Sequence, residues 1–267
     1  MKIIETPNGK IKVDCLSCGN LFEIEDFRQN FLSEVLQKYY ENHRQCPHCL
    51  EKEEKKDREE KKIRAQEEFE KKIPKLIEEA GIERLYSRDR ITGELFKVPP
   101  CRYAAEWIYR HRNENLLISG VTGSGKSTSA SFIACQLIYA GKKVGYYNLR
   151  KLLTKWRIAK TSDYTAAIEK MLQEIFSMDL FIIDEVVGKY KVSESGQELL
   201  FEILEAVNSG ACRAKIWMLG NFYEGSIEKI FADPEPVRRR IQENFSCVYL
   251  DPDREKVTPI LAWGAKK

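Results

Sequence analysis

Apolar and polar positions fall into blocks along this chain, and the blocks change period. The run Leu116-Leu117-Ile118-Ser119 is unbroken apolar and short, as in a strand buried on both faces. A glycine-rich turn follows, then a helical stretch at 128–139 that Gly141-Lys142-Lys143 ends. Strands are expected at 144–147, 179–185, 215–219 and 246–250. Helices are expected at 149–156, 164–176, 195–207 and 236–244. Upstream, Tyr103, Trp107 and Ile108 stand at helical spacing within 102–111. Val98-Pro99-Pro100 is a breaker, and 82–96 reads as irregular. Strands alternating with helices predict an α/β fold, a mainly parallel sheet covered on both faces in three αβα layers.

The first 72 residues follow different rules. Residues 51–72 are almost wholly charged, with acid and base four apart at Glu51/Lys55, Glu54/Arg58, Asp57/Lys61 and Glu60/Arg64. This is the pattern of a solvated helix with no broad buried face, which suits a semi-rigid spacer. A nucleic-acid arm is disfavoured because the charges nearly cancel. Before it, Cys15-Leu16-Ser17-Cys18 and Cys46-Pro47-His48-Cys49 form two C-x-x-C pairs separated by 27 residues. Four thiolates from Cys15, Cys18, Cys46 and Cys49 make a tetrahedral set for zinc. A redox dithiol, unrelated thiols, or His43 or His48 replacing one sulfur are the alternatives. A helix at 25–40 is expected to span the gap. The expected organisation is a zinc-binding domain at 1–50, a helical linker at 51–73 and a larger domain at 74–267.

Composition narrows the class. Of 267 residues, 43% are hydrophobic and 32% charged, enough for a core and typical of soluble chains. No run of about 18 apolar residues exists, so no membrane association is expected. Met1 to Glu5 carries no apolar signal region. With eight cysteines beside a nucleotide motif, the expected setting is a reducing cytoplasm. The net charge of +3 argues for no particular partner.

The chemistry centres on Gly120-Val121-Thr122-Gly123-Ser124-Gly125-Lys126-Ser127-Thr128. After a strand and before a helix, this is a P-loop for ATP. Its glycines let backbone N–H groups wrap a polyanion. Lys126 reaches the β- and γ-phosphates, and Ser127 offers a hydroxyl to magnesium. About 60 residues on, an apolar strand ends in Asp184-Glu185. Asp184 is the expected magnesium partner, and Glu185 the residue that orients and deprotonates water. Asn221 ends a later strand and is read as a water-positioning or γ-phosphate-sensing amide, or as a simple turn residue. Arg238-Arg239-Arg240 lie about 100° apart on a helix and cannot all face one partner. Lys155, Trp156 and Arg157 put bases around an indole. That composition suits stacking on single-stranded DNA, and equally a core stripe with a basic outer face.

The order of these parts resembles the AAA+ ATPases, and more narrowly the DnaC/DnaI-type helicase loaders and their IstB-type transposition relatives. The resemblance spans about residues 80–255. It rests on the P-loop, on Leu180 to Glu185 followed by the Leu199-Leu200-Phe201-Glu202-Ile203 helix, on Met218-Leu219-Gly220-Asn221, and on Arg240-Ile241. It implies an ATPase that acts in replication initiation. The implied partners are ATP, a replicative DNA helicase, single-stranded DNA and further copies of itself in a homo-oligomer. It makes Asn221 sensor 1 and Arg240 the arginine finger, with Arg239 as fallback. The cysteine-rich start is similar to the zinc-bearing, helicase-binding domain of DnaI-type loaders. Two departures stand out: Val207 where the family often has arginine, and no clear sensor 2, for which Arg238 and Arg254 are candidates. A transposition helper ATPase, or an ATP-switched adaptor with negligible turnover, is the alternative.

Overall fold

The computed structural model describes residues 3–26, 33–89, 92–161, 164–187, 192–222, 226–251 and 256–259. It divides into two units, Met1–Lys71 and Lys72–Lys267.

The first unit opens with three antiparallel strands, β1 (Ile3–Glu5), β2 (Lys10–Asp14) and β3 (Leu21–Glu25), in that order. None is among the elements expected above. The signal is present but brief. Ile11 and Val13 alternate with lysines, and Phe22 and Ile24 alternate with glutamates. Pairing sets Lys10 opposite Glu25 and Lys12 opposite Glu23, each closing an ion pair of 3.5 Å. The opposite face buries Ile11 and Val13 with Ile3, Phe22 and Ile24 against them. Helix α1 (Ser33–His43) then replaces the single helix expected at 25–40. Residues up to Glu25 belong to β3, and 27–32 lie outside the described residues.

Helix α2 (Pro47–Glu79) is 33 residues long. Its charged ladder forms as the spacing predicts, with Arg58–Glu54 at 3.2 Å and Lys61–Asp57 at 2.7 Å. Pro74 stands inside the helix. In the second unit, Ile73 and Ile77 are its buried residues. The helix closes on Gly81 at φ 84, with Gly81 N–H bonded to Glu78 O and Ile82 N–H to Ile77 O. That is a Schellman ending, which needs a residue free to adopt positive φ.

Next come α3 (Arg84–Ser87), α4 (Arg102–Arg110), β4 (Asn115–Gly120), α5 (Lys126–Tyr139), β5 (Val144–Asn148), α6 (Leu149–Thr161) and α7 (Tyr164–Phe176). These are followed by β6 (Leu180–Asp184), α8 (Glu194–Asn208), β7 (Lys215–Gly220), α9 (Ser226–Ile230), α10 (Pro234–Asn244), β8 (Phe245–Asp251) and β9 (Lys256–Pro259). The sheet order is β5-β6-β7-β4-β8-β9. The first five strands are parallel, and β9 joins β8 antiparallel. Helices cover both faces of an αβα sheet, as the alternation predicts. The central strands are apolar throughout because both faces are covered: Leu116 to Ile118, Leu180 to Ile183 and Ile216 to Leu219 are all buried.

Strand β7 lies between β4 and β6, so the P-loop strand and the acid-bearing strand are not neighbours. The polar residue after β7 therefore stands between the two motifs.

Phe181 is fully buried and belongs to the core cluster with Trp156, Leu199 and Ile203. Phe181→Ala should cost about 3–5 kcal/mol. Urea unfolding of the full chain reads this as a lowered midpoint at unchanged slope. An unchanged midpoint would contradict the core described.

Candidate functional site: a P-loop and its paired acids

Strand β4 ends at Gly120, and α5 begins at Lys126. The turn between them cannot be built from ordinary residues. Gly120, at φ 151, would place a Cβ 2.6 Å from Leu250 O, and Gly125, at φ 83, one 2.8 Å from the Cys101 Cβ. Gly123, at φ 86, has open space and needs glycine for its backbone alone. No side chain caps the α5 N-terminus. Its first N–H groups are left to an anion, together with the positive end of the helix dipole. Ser124 is buried within the turn, Ser127 and Thr128 are half-buried in the first turn of α5, and Val121 and Thr122 are exposed.

The Lys126 ammonium folds onto its own loop. Nζ donates to Gly120 O at 2.6 Å, Val121 O at 2.8 Å and Ser124 Oγ at 3.3 Å. Burial pushes its pKa down, and the charge of Asp184 opposes that shift. The lysine thus lies within electrostatic reach of the acid two strands away.

Asp184 is 5% exposed. Its Oδ2 accepts the Tyr146 hydroxyl at 2.5 Å, and its Oδ1 accepts the Glu185 backbone N–H at 2.7 Å. The Ser127 and Ser131 side chains lie near the Tyr146 phenol. Burial raises the Tyr146 pKa well above its ordinary value, and Asp184 raises it further, so the phenol is a neutral donor. Ser127 in the first turn of α5 and Asp184 at the end of β6 both lie near that phenol. This hydroxyl-and-carboxylate pair is the donor set that magnesium takes beside a triphosphate, so the residues fit the ion.

Glu185 is the one non-glycine residue with positive φ among the described residues, at 57. Such backbone is costly and is held by its surroundings. Here Val186 N–H bonds to Leu219 O at 2.9 Å. The exposed carboxylate of Glu185 accepts the Asn148 Nδ2. Asn148 is fixed in turn, because its Oδ1 takes the Arg150 N–H at the start of α6. Tyr86 on α3 has its pKa raised by burial, then by the charges of Asp184, Glu83 and Glu185, which puts it near both acids. Tyr146, Asn148 and Tyr86 were not singled out by sequence. They belong to no motif, and only strand register could have flagged the first two: Tyr146 pairs with Ile182 and Asn148 with Asp184.

Asn221 is exposed and follows β7 directly. The end of β7 is tied on both sides, by Ser119 Oγ to Phe222 O at 2.6 Å and by the Val186–Leu219 bond. Arg240 is held on its own chain. Its Nε donates to Glu205 at 2.7 Å, and its guanidinium lies 4.7 Å from the Phe201 ring centroid on α8. Arg239 is more exposed and pairs with Glu243 on its own helix, and Arg238 pairs with Glu228. Val207 packs against the core, and Arg254 lies outside the described residues.

The stacking role considered for Trp156 is corrected. Its ring is 3% exposed in the core beneath α6, where no base can reach it. Lys155 and Arg157 remain at the surface, with Lys155 Nζ on the Tyr147 hydroxyl and Arg157 on Ser193 Oγ.

In the first unit, the sulfurs of Cys15, Cys18, Cys46 and Cys49 lie within 4.8 Å of one another. Cys18 and Cys46 are 3.8 Å apart, close to the edge of a tetrahedron built on zinc–sulfur bonds of about 2.3 Å. Burial would raise the Cys15 thiol, but the N–H groups of Cys46, Cys18 and Ser17 outweigh it and bring it down to about 6. Hydrogen bonds to Cys18 and Cys46, with burial, push Cys49 up to about 12. Zinc binds cysteine as thiolate, so closing this site on the ion releases protons. Buried Arg44 clamps the cluster, donating to Asp14 O at 2.7 Å, Asp14 Oδ2 at 3.0 Å and Glu41 O at 2.8 Å. His43 is engaged with Tyr39 O and stacked on that ring.

A P-loop on the central strand, paired acids one strand removed and a polar residue between them define a P-loop ATP-binding protein of the AAA+ class. The sequence profile described as "IstB-like ATP binding protein" matches residues 48–212. The chain belongs to that family. Among solved structures it is similar to the DnaC helicase loader, at 16% identity and TM-score 0.43 over 55% of this chain and 86% of that one. It is also similar to DnaI, at 17% and 0.44 over 63% and 93%. AMPPCP-bound DnaA from Aquifex aeolicus matches at 15% and 0.47 over 64% and 51%. Comparison with curated protein sequences gives no match.

Purified full-length protein should carry about one zinc per chain, and Cys18→Ser should lose it. Zero metal with four thiols open to alkylation would contradict the site.

Proposed function

We propose that the protein hydrolyses ATP and uses the cycle to place a ring-shaped replicative helicase on single-stranded DNA during replication initiation. Lys126 and the P-loop N–H groups hold the triphosphate. Ser127 and Asp184 hold magnesium, which neutralises charge on the phosphates. Glu185 aligns the attacking water and takes its proton once Asn148 lets the carboxylate turn. Asn221 senses the γ-phosphate from the strand between. Arg240, or Arg239, reaches the γ-phosphate of a neighbouring copy, and for Arg240 that means leaving Glu205. The zinc domain at 1–50 grips the helicase, the linker at 51–73 acts as spacer, and the ATPase domain covers 74–267. Lys155 and Arg157 are the remaining candidates for DNA contact. The expected compartment is the cytoplasm.

The observation that carries this reading over its rival is the four-cysteine cluster joined through a charged helix to the ATP-binding unit. A transposition helper has no need of such a module. That second reading is favoured by the family's description alone.

Two measurements follow. Lys126→Ala should abolish nucleotide binding, while Glu185→Gln should bind ATP but turn over about 100-fold more slowly or less. Turnover absent in the unmutated protein with DNA and helicase present would leave an ATP-switched adaptor. In pull-downs, the replicative helicase of the source cell should be retained and lost with Cys46→Ser. Retention of a transposase instead would favour the transposition helper.

A further inference from the structure

Tyr146 is 3% exposed, and both ends of it are engaged. At the tip, its hydroxyl donates to Asp184 Oδ2 at 2.5 Å. At the backbone, its N–H donates to Ala80 O at 2.6 Å, and its carbonyl lies 2.3 Å from where a Cβ on Gly81 would stand. Ala80 and Gly81 form the turn that ends α2, inside the second unit, which begins at Lys72. They meet β5 at the outer edge of the sheet, where β6 is its partner strand. One residue therefore joins the turn after α2 to the carboxylate expected to hold magnesium.

We propose that Tyr146 is a positioning residue for the metal side of the ATP site, and that the Ala80-Gly81 turn sets where it stands. The inference rests on the ATP and magnesium reading above. Asp184 has one oxygen fixed by the Glu185 N–H and the other by the phenol, so its rotamer is locked before any ion arrives. The phenol O–H holds the Asp184 Oδ2 without adding charge. With magnesium held by Ser127 and Asp184, the phenol would keep the Asp184 carboxylate oriented. Groups that orient metal ligands in this way commonly change metal affinity or activity by about 10- to 100-fold when removed. A shift of the Ala80-Gly81 turn moves the Tyr146 backbone, and the hydroxyl with it. The geometry thus couples the turn after α2 to the metal site.

The test uses full-length protein and a fluorescent ATP analogue, titrated with excess magnesium and with EDTA. Tyr146→Phe keeps the ring and loses the hydroxyl. Its affinity in EDTA should stay within about twofold, while the gain conferred by magnesium should fall by about 10-fold or more. Gly81→Ala should reduce the same gain, and the double variant should lose less than the two effects combined. A magnesium gain unchanged in Tyr146→Phe overturns the proposal, and so does an equal loss with and without the ion, which marks a merely structural role. If the unmutated protein binds no nucleotide, the ATP reading and this one fall together. If it binds with a magnesium gain that Tyr146→Phe leaves intact, only the role of Tyr146 falls.

Discussion

Between β4 and α5 the backbone must reverse within five residues while its N–H groups stay turned outward. Gly120 and Gly125 permit this only because nothing projects from their α-carbons, where Leu250 O and Cys101 crowd in. The constraint reaches far from the loop. β4 has to be the central strand, flanked by β7 and β8, so that the loop emerges in the middle of the sheet's C-terminal edge. The apolar runs Leu116 to Ile118, Leu180 to Ile183 and Ile216 to Leu219 supply the burial that holds the strand there. With the loop fixed, Lys126 has two choices of partner: the carbonyls of Gly120 and Val121, which it now holds, or an incoming anion. Its depressed pKa reflects burial that the nearby Asp184 charge offsets in part.

Around that loop the side chains are held in series. Asp184 is oriented by Tyr146, Glu185 by Asn148, and Asn148 by the first turn of α6. Tyr146 and Asn148 both come from β5, the strand least suggested by any motif. Strain at Glu185 is sustained because Leu219 on β7 takes the following N–H. An acid held this way is preorganised and restrained at once, an arrangement suited to a site that acts only when a ligand rearranges it. The first unit follows the same logic on a smaller scale. Among the described residues its apolar cluster is Ile11 and Val13 with Ile3, Phe22 and Ile24 against them, a small core for three short strands, and four sulfurs with the Arg44 clamp stand beside it in the chain.

Much of this was legible in the sequence. The αβα alternation, the P-loop helix and the charged ladder of α2 follow from patterns long enough to have one reading. The four cysteines could be grouped because C-x-x-C fixes local geometry, whatever the chain between the pairs does. Strands β1 to β3 were not legible, since two alternating apolar residues per strand fall below what periodicity can separate from chance. β9 lies too close to the chain's end to show a pattern. Trp156 had two readings, and burial decided between them: the indole fills the core under α6, and its basic neighbours stay outside. Tyr146 and Asn148 escaped notice because their importance comes from strand pairing, which no local pattern encodes. Arg240 shows the converse, a residue marked by position alone that the fold ties to Glu205 and Phe201 on its own chain.

The central claim is that one loop of amides and one lysine hold a triphosphate within reach of Asp184. A crystal structure with a non-hydrolysable ATP analogue and magnesium tests it most directly. The account predicts that the Lys126 ammonium leaves the Gly120 and Val121 carbonyls for the β- and γ-phosphate oxygens, with the metal between Ser127 and Asp184. Nucleotide bound elsewhere, or a loop that keeps its lysine folded inward under saturating analogue, would contradict it.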